Sequence, residues 1–451
     1  MTRTNQFNFV DLFCGVGGFH AALEAIGGTC VLASDIDKYA KEVYELNWGV
    51  APVGDIAEFS TSERVSAPPV NVNIDVLAAG FPCQPFSKSG KQKGMTEKRG
   101  TLFDHIMFII EKRHPKLVIL ENVRNLSGPR HRHEFDYVIK SLRDAGYVVS
   151  SEPSVFSPHK IAPEFGGRPQ IRERLFITAT YSPRNSTNSA EKLTLPSEVL
   201  IDDIHSWDLD DFLENDPRSI TSSHRLTEDE FVWLNAWEEF QKGIRARSNN
   251  LLPGHPLWSD EWVPKSDRSR KASLRGVPDW KQKFLTSNWE FYDEHSKFID
   301  RWKTKFNVSS FPATRRKFEW QAQNEESIWN CAIHLRPSGV RVKRLTYLPA
   351  FVAMNQTSII GPLRRRITTR EAARLQGLPE FFEFGSQPEG QTYKQLGNGV
   401  NVGVIWQVLK AHAERDSLIL QKSASTLLKA VRDSPKSPDQ SHLFEKLRNV
   451  S

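Results

Sequence analysis

The feature that most constrains the fold is a regular alternation, from Phe7 to about Thr180, of short apolar runs with longer segments of helical pattern. In the longer segments apolar residues recur at three-to-four spacing, as on the buried face of a helix. Strands that alternate with helices in this way form a parallel sheet covered by helices. The sequence therefore predicts an α/β fold with a doubly wound, mostly parallel sheet.

Six strands and four intervening helices are predicted in this region. The strands are NFVDLF (8–13), TCVLAS (29–34), DVLAAG (75–80), KLVILE (116–121), YVVSSE (147–152) and RLFITAT (174–180). The helices after the first four strands are FHAALEAIG (19–27), KYAKEVYELN (38–47), LFDHIMFIIEKR (102–113) and EFDYVIKSLRDAG (134–146).

The pattern changes after Ser182, where the alternation fades, basic residues become frequent and ten of the twelve tryptophans follow before about Lys343. Regular apolar patterning returns past Gly361 in ITTREAARLQGLP and YKQLGNGVNVGVIWQVLKAHAE. From about Asp416 the chain is polar, and SPKSPDQS is predicted to be disordered between two short helical pieces. The predicted boundaries are a first domain part in 1–182, a second domain in 183–360, a closing part of the first domain in 361–415 and a tail in 416–451.

Charge and cysteine content narrow the classes of partner and site. Lys and Arg number 60 against 54 Asp and Glu, for a net charge of +6 and a pI near 9.0, which makes nucleic acid a candidate partner. The N-terminus has no apolar signal core and no run approaches the roughly 20 apolar residues of a membrane span, so a cytoplasmic location is expected. The four cysteines form no CxxC pair or Cys/His cluster, so neither a disulfide framework nor a metal site is predicted.

The first two strand ends carry the marks of a nucleotide site, because ligands of open α/β sheets bind beyond the carboxyl ends of the strands. DLFCGVGGF places Gly15, Gly17 and Gly18 in a loop that can approach a ligand closely. Asp35 follows about 20 residues later, where one carboxylate can hold two ribose hydroxyls. Asp55, in GDI, suits an adenine amino group. The loop alone could be an ordinary tight turn; with the two acids it predicts a nucleoside-bearing cofactor.

The later strand ends offer a thiol, a carboxylic acid and guanidinium groups. GFPCQPFSKSG sets Cys83 between two prolines directly after a buried strand, where it is either presented to a substrate or a small core residue. Glu121, in ENV, is either a capping or surface residue or a general acid with a raised pKa. Arg172 and Arg174, two apart in QIRERLF, share a face of an extended chain, as charges on an exposed strand also do. Their convergence at one edge favours a common site.

One reaction needs this set of groups together with a nucleoside cofactor. C5 of a pyrimidine is too electron-poor to attack an electrophile, but a thiolate that adds to C6 turns C5 into an enamine-like nucleophile. An acid that protonates N3 and an arginine that holds O2 stabilise the charge that develops.

With these motifs the chain resembles the DNA cytosine-5 methyltransferases of prokaryotic restriction-modification systems. DLFCGVGGF, the acid in ASDID, GDI, GFPCQPFSKSG, ENV, QIRERLF, REAARLQGLP and QLGNGV occur in that family's order and cover most of 7–180 and 364–410. Two positions depart from the family pattern. Asp35 stands where glutamate is common, which could loosen ribose binding, and Gly399 stands where serine or alanine is frequent.

The resemblance implies a Rossmann-like catalytic domain, S-adenosylmethionine as methyl donor and double-stranded DNA as substrate. It implies Cys83 as nucleophile, Glu121 as the N3 proton donor, and Arg172 with Arg174 at a flipped-out cytosine. The residues it places around the cofactor are Phe13, Gly15, Val16, Gly17, Gly18, Asp35, Ile36, Asp55, Ile56, Pro82, Leu102 and Asn398. The helix near Val400 would pack beside the first strand, so that the catalytic domain is discontinuous and 183–360 is an inserted target-recognition domain. The basic loop SKSGKQKGMTEKRG would close over DNA, although its composition also suits a solvated loop.

Three rival functions share part of this pattern. A nicotinamide-dependent oxidoreductase explains the glycine loop and Asp35 but not the convergence of Cys83, Glu121 and the arginines. A non-catalytic DNA-binding module explains the basic second domain but not the thiol site. A transfer-RNA methyltransferase on the same scaffold is the nearest rival, but its Cys-Phe-Thr signature is missing from the sequence. We expect a monomeric DNA methyltransferase that protects host DNA from a cognate restriction endonuclease.

Overall fold

A computed structural model describes residues 6–60, 72–82, 102–185, 189–214, 216, 220–248, 252–267, 269–270, 274–351 and 357–445. The chain forms two compact units. The first comprises Met1–Trp207, Pro349–Ala353 and Thr369–Ser451, and the second comprises Asp208–Leu348 and Met354–Thr368. Among the described residues, no helix combines the length and the apolar character needed to cross a membrane.

The first unit contains eight strands and most of the helices. Its strands before residue 182 are β1 (Phe7–Leu12), β2 (Gly28–Ser34), β3 (Val76–Gly80), β4 (Leu117–Val123), β5 (Tyr147–Val149), β6 (Ser154–Phe156), β7 (Gln170–Ile171) and β8 (Arg174–Tyr181). The helices between them are α1 (Gly18–Ala25), α2 (Lys38–Trp48), α3 (Ile56–Phe59), α4 (Leu102–Arg113) and α5 (Arg132–Asp144).

The central sheet has the order β2-β1-β3-β4-β8-β5, with β6 also paired to β8. The strands β2, β1, β3 and β4 are parallel to their neighbours, whereas β8 runs antiparallel to β4, β5 and β6. Helices cover both faces of this sheet, and alternate residues of β1 contact different helices. Val10 and Leu12 join the core that includes Phe103 of α4, while the ring of Phe9 lies 5.2 Å from that of His20 in α1. The predicted α/β, doubly wound fold is confirmed.

The C-terminal part of the chain returns to this sheet. Its helices are α8 (Thr369–Gln376), α9 (Glu389–Asn398), α10 (Val402–Arg415), α11 (Ser417–Ser423), α12 (Ser425–Asp433) and α13 (His442–Glu445). The segment YKQLGNGVNVGVIWQVLKAHAE lies in two helices, α9 and α10, of which α10 is the helix expected near Val400, and α10 packs against α1. The C-terminal part of the chain from Thr369 therefore belongs to the first unit.

The predicted disorder of SPKSPDQS is wrong. Ser437 and Pro438 are buried there, and Asp439 forms an ion pair with Arg168 at 2.6 Å. The Gln407 side chain of α10 donates a hydrogen bond to the carbonyl of Lys436 at 2.7 Å. The segment is ordered because long-range partners satisfy its polar groups, and local composition does not reveal those partners.

The second unit is a six-stranded sheet with two long helices, α6 (Glu228–Ser248) and α7 (Asp279–Lys305). Its sheet order is β15-β14-β11-β12-β10-β9, antiparallel except for the pair β10 and β12. The strands of this region are β9 (Leu257–Trp258), β10 (Lys317–Gln321), β11 (Cys331–Arg336), β12 (Gly339–Arg344), β13 (Leu348–Pro349), β14 (Ile359–Ile360) and β15 (Arg365–Arg366).

Tryptophans form much of the core of the second unit. Trp237 and Trp302 are almost fully buried, and the Trp237 ring stacks on Phe318 with centroids 4.7 Å apart. Trp289, Trp320 and Trp329 are buried as well, whereas Trp280 is 68% exposed near the start of α7.

The two units begin and end at positions that differ from the predicted breaks at 182 and 360. Residues up to Trp207 belong to the first unit, where the Trp207 indole donates a hydrogen bond to the carbonyl of His159 at 2.9 Å. The strands β14 and β15 belong to the second unit, where β14 pairs with β11. The assignment of the second unit to target recognition stays a prediction.

Candidate active site

The ends of β1, β3 and β4 lie side by side and point the same way, so the loops that follow them meet at one edge of the sheet. Leu12 is in register with Ala79, and Gly80 is in register with Glu121. The glycine loop after β1, the Phe81–Pro82 segment after β3 and the ENV residues in β4 are therefore neighbours. The edge that the sequence predicted for the site does collect these groups.

The glycine loop has the backbone that only glycine adopts freely. Gly15 and Gly17 have φ values of +52° and +93°, and Phe13 also has a positive φ of +55°. A Cβ on Gly17 would lie 2.2 Å from Nε1 of Trp48, whose N–H donates to the Val16 carbonyl at 3.0 Å. Gly15, in contrast, faces open space within 4 Å of its Cβ position. The loop is thus packed on one side and accessible on the other.

Asp35 is fixed against this loop by both carboxylate oxygens. One oxygen accepts the N–H of Gly15 at 2.8 Å, and the other accepts the N–H of Asp37 at 2.8 Å. Burial raises the pKa of Asp35 above its ordinary value, and these two backbone hydrogen bonds offset part of that shift. Each carboxylate oxygen has a second lone pair, so the group can also accept from the hydroxyls of a ribose.

The GDI segment lies beside the end of β2. The Ser34 hydroxyl donates to the Gly54 carbonyl at 2.8 Å, and Asp55 caps α3 by accepting the N–H of Ala57 at 2.9 Å. Ile36 is 75% exposed next to Asp35 and offers an apolar surface to a flat ring. The side chain of Ile56 is buried in the core below, so only its backbone can reach a ligand.

The remaining cofactor candidates lie around the same edge. Pro82 is exposed directly after β3, and Leu102 is half-buried at the start of α4. Asn398 is exposed at the last position of α9. Cys83 and the basic loop after it lie outside the described residues.

Glu121 and Arg174 form a buried pair across β4 and β8. Nε of Arg174 lies 3.0 Å from Oε1 of Glu121, and the carboxyl side chain is only 8% exposed. Burial raises the pKa of Glu121 above its ordinary value, while the positive charges of Arg174 and Arg172 offset part of the shift. A carboxyl of raised pKa beside a guanidinium can donate a proton and then hold the negative charge that remains.

Arg172 contacts the closing part of the chain. Its guanidinium donates to the carbonyl of Gly397 at 3.0 Å and also to that of Gly399. Burial lowers the pKa of Arg172 to about 9, and the charge of Arg174 adds to this effect. Both arginines lie close enough to affect Glu121 electrostatically, but Arg172 is engaged with the backbone of QLGNGV.

The closing part reaches the glycine loop itself. A Cβ on Gly18 would lie 2.4 Å from the carbonyl oxygen of Val400, and one on Gly80 would lie 3.5 Å from Cγ2 of the same valine. The turn between α9 and α10 therefore contacts the start of α1 and the end of β3. The helix α10 that follows this turn packs against α1, the helix after β1.

Two amide side chains also organise the site, and sequence reasoning gave them no role. Asn122 donates to the carbonyl of Phe81 at 2.9 Å and so fixes the backbone two residues before Cys83. Asn401 caps α10 by accepting from the N–H of Val404 at 3.0 Å, and it donates to the carbonyl of Leu375 at 3.0 Å. Both residues sit within or next to motifs quoted from the sequence, which was the available signal.

The three described cysteines are unsuited to nucleophilic chemistry. Cys14 and Cys331 are buried, and burial raises the pKa of Cys14 well above its ordinary value. Burial also raises the pKa of Cys30 and of Cys331 to about 12. Because the thiolate is the reactive form, these raised pKa values disfavour nucleophilic attack by the three thiols.

Comparison with known proteins gives concordant matches. The model of the family described as C-5 cytosine-specific DNA methylase matches residues 7–414. The Type II methyltransferase M.AluI of Cellulosimicrobium cellulans is 42% identical, over 93% of this chain and 95% of the relative. M.BanI of Aneurinibacillus aneurinilyticus is 29% identical over 90% of this chain and 95% of its own length. M.HhaI of Haemophilus parahaemolyticus is 40% identical over 40% of this chain and 51% of its own length.

Proposed function

The chain belongs to the C-5 cytosine-specific DNA methylase family, and on that premise we propose that Cys83, Glu121 and Arg174 carry out its chemistry. The enzyme transfers a methyl group from S-adenosylmethionine to C5 of cytosine in DNA. The observation that carries the assignment of residues is the ion pair between the buried Glu121 and Arg174. Glu121 is in register with Gly80, the last residue of the strand that leads to Cys83.

The residues present fit S-adenosylmethionine. Asp35 offers a fixed carboxylate for the ribose, and Gly15 leaves open space at the loop beside it. Ile36 and Asp55 flank this position with an apolar side chain and an acid, which suit an adenine ring and its amino group. When bound, the cofactor supplies an electrophilic methyl group on a sulfonium.

In the proposed mechanism Cys83 adds as thiolate to C6 of the cytosine. Glu121 donates a proton to N3, so the electron pair displaced by the addition does not build up as negative charge on the ring. Arg174 holds O2 and the Glu121 carboxylate. C5 is then an enamine carbon that would take the methyl group supplied by the cofactor. The C5 proton then passes to solvent, the N3 proton returns to Glu121, and the Cys83–C6 bond breaks to restore the thiolate and the aromatic ring.

Arg172 has a positioning role in this proposal. Its guanidinium is used by the carbonyls of Gly397 and Gly399, so it holds the closing turn against the strand ends. Asn122 acts in the same way on the carbonyl of Phe81 ahead of Cys83. Both residues order backbone that the reacting groups depend on.

The second unit, Asp208–Leu348 with Met354–Thr368, is proposed to select the DNA sequence. A target cytosine stacked in a duplex is unreachable, so it is swung out into the site at a cost of about a few kcal/mol that new contacts offset. Two relatives whose alignments cover 90% or more of this chain are Type II methyltransferases. This similarity supports a role in protecting host DNA from a cognate endonuclease. We propose a monomer that acts on nucleoid DNA in the bacterial cytoplasm.

The proposal is tested by bisulfite sequencing of DNA from cells that express the wild type, Cys83→Ala or Cys30→Ala. The wild type and Cys30→Ala are expected to methylate one cytosine of a defined sequence, and Cys83→Ala is expected to methylate none. The wild type should also form a trapped adduct with DNA that contains 5-fluorocytosine, because fluorine cannot leave C5 as a proton does. A Cys83→Ala variant that still methylates cytosine would overturn the mechanism.

A further inference from the structure

The second unit contains a cavity of about 380 Å³ with three arginines in its wall. The wall includes Arg315, Arg336 and Arg366 together with the carboxyl of Glu230 and the hydroxyls of Thr314 and Thr357. All of these residues belong to the second unit. The cavity therefore needs an explanation separate from the methyl-transfer site.

Three parts of one sheet bring the guanidinium groups together. Arg336 ends β11 and pairs with Gly339 at the closed end of the β11–β12 hairpin. Arg315 precedes β10 and donates from Nη1 to the carbonyl of Arg336 at 3.0 Å. Arg366 ends β15, which joins the same sheet through β14. The arginines are thus held by paired strands.

The positive charges of the cavity are only partly neutralised. Arg366 forms an ion pair with Glu230 and donates to the carbonyl of Arg225 at 3.0 Å. Within the described residues, neither Arg315 nor Arg336 has a carboxylate in contact, and the Arg336 guanidinium makes no hydrogen bond. Nε of Arg315 is buried and has no partner in the described part of the chain.

These groups remain charged although the site is partly desolvated. Burial lowers the pKa of Arg315 and of Arg336, and the charge of Arg341 on β12 adds to the effect at Arg336. The negative charges of Glu230, near Arg315, and of Glu319, near Arg336, offset part of these shifts. An arginine guanidinium nevertheless stays protonated in proteins. Arg315 lies over the ring of Trp233, 5.7 Å from its centroid, and neither arginine has a carboxylate within ion-pair distance among the described residues. Two such positive charges in a concave, half-buried site favour an anionic ligand.

We propose that this cavity binds a phosphate group of the DNA backbone, an inference that rests on the proposed function. The bases of DNA carry no net charge, so the phosphodiester is the part of the substrate that can neutralise Arg315 and Arg336. The planar fork of a guanidinium matches phosphate oxygens, and threonine hydroxyls are common phosphate donors in DNA complexes. The contact sets the position of the second unit on the duplex and reads no sequence.

A guanine contact is the competing use of an arginine, and the two differ in measurable ways. An arginine on guanine discriminates one base pair, so its loss relaxes the choice of sequence at that position. An arginine on phosphate contributes equally to all sequences and to the dependence of affinity on salt. The salt dependence therefore separates the two.

The test compares Arg336→Gln and Arg336→Lys with the wild type, and uses Arg301→Gln as a matched control. Arg301 is exposed on α7 and is not part of the cavity wall. The measurement is fluorescence anisotropy with two labelled duplexes. One contains the target sequence identified by bisulfite sequencing, and the other contains a scrambled sequence. Salt is varied between about 50 and 200 mM.

Arg336→Gln is expected to lose about tenfold or more in affinity for both duplexes. Its affinity should also fall about three- to fourfold less than that of the wild type across the salt range, because one counterion fewer is released. Arg336→Lys should keep the salt dependence of the wild type, and Arg301→Gln should match the wild type throughout.

Two results would overturn the assignment of the cavity. One is an Arg336→Gln variant with unchanged affinity and salt dependence; the other is a variant that methylates new sequences, since that result would indicate a base contact. Either result leaves the proposed function intact if the wild type methylates its site. A wild type that methylates no DNA would refute the proposed function whatever the anisotropy shows.

Discussion

Replacing Gly18 by alanine tests whether the closing segment is a working part of the site. The added Cβ would lie 2.4 Å from the carbonyl oxygen of Val400 and 3.3 Å from its carbonyl carbon. Ordinary contacts of a Cβ begin at 3.4 Å, so the methyl group is about 1 Å too close to the oxygen. Either α1 or the turn between α9 and α10 must move.

Neither partner can move cheaply. The Val400 carbonyl belongs to backbone that is held on both sides, by Arg172 at Gly399 and by the side chain of Asn401 at Leu375. Gly18 is the first residue of α1, directly after the left-handed Gly17. Overpacking against such backbone costs about 1–3 kcal/mol. The free energy of unfolding should fall by that amount, and the midpoint of thermal unfolding by a few degrees.

The assay is thermal unfolding without cofactor, followed by calorimetric titration with S-adenosylmethionine. Unfolding without cofactor isolates the clash with Val400 from any direct effect on the ligand. Gly254→Ala is the control, because a Cβ there meets nothing within 4 Å and the residue has no positive φ. We expect Gly18→Ala to unfold earlier than Gly254→Ala and to bind the cofactor more weakly, where each tenfold loss of affinity corresponds to about 1.4 kcal/mol of binding free energy. Wild-type behaviour in both measurements would show that the closing turn does not pack on the glycine loop as described.

The remaining predictions concern the two acids of the site. Asp35→Ala should weaken S-adenosylmethionine binding by about tenfold or more in calorimetry and leave DNA affinity unchanged. The reason is that the substitution removes a charged acceptor that also holds the Gly15 N–H. Unaltered cofactor affinity would mean that the ribose lies elsewhere. Glu121→Gln should lower the methylation rate about 10²- to 10⁴-fold in a single-turnover assay, and a rate near that of the wild type would exclude Glu121 as the proton donor. The raised pKa of Glu121 means that the folded protein binds its proton more tightly than the unfolded chain, so the wild type loses stability as pH rises through that pKa. Thermal unfolding at neutral pH should therefore find Glu121→Gln at least as stable as the wild type, and a clear loss of stability would contradict the burial argument.

Much of the first unit could be predicted because its information is local. The strands β1, β2, β3 and β4 lie within one or two residues of the predicted ends, since apolar runs and helical spacing mark them directly. The local sequence pattern does not indicate the direction in which β8 runs. It runs antiparallel to β4 and lies between β4 and β5, and such pairing depends on the whole sheet rather than on the sequence of the strand.

The contacts of the site could be predicted only in part, for the same reason. The order of the motifs placed Cys83, Glu121 and Asp35 at strand ends, but it could not show that Arg172 bonds to carbonyls 225 and 227 positions away. The same limit applies to the tail, where a polar composition suggested disorder although Arg168 and Gln407 bind it. Trp280 shows the converse, because a residue type that is usually buried is exposed at the start of α7.

The polar residues at the strand ends hold one another's backbone, and this bears on how the site works. Asp35 holds the glycine loop, Asn122 holds the segment before Cys83, and Arg172 holds the closing turn. In each case a side chain at or beside one strand end fixes a backbone segment that follows another, so the described parts of these segments are held by mutual contacts. Such order lowers the conformational entropy lost on binding and keeps the reacting groups within the narrow range of geometry that catalysis requires. In the proposed mechanism the charged and amide residues of the motifs therefore contribute in two ways, some by contact with the reacting groups and others by holding backbone next to them.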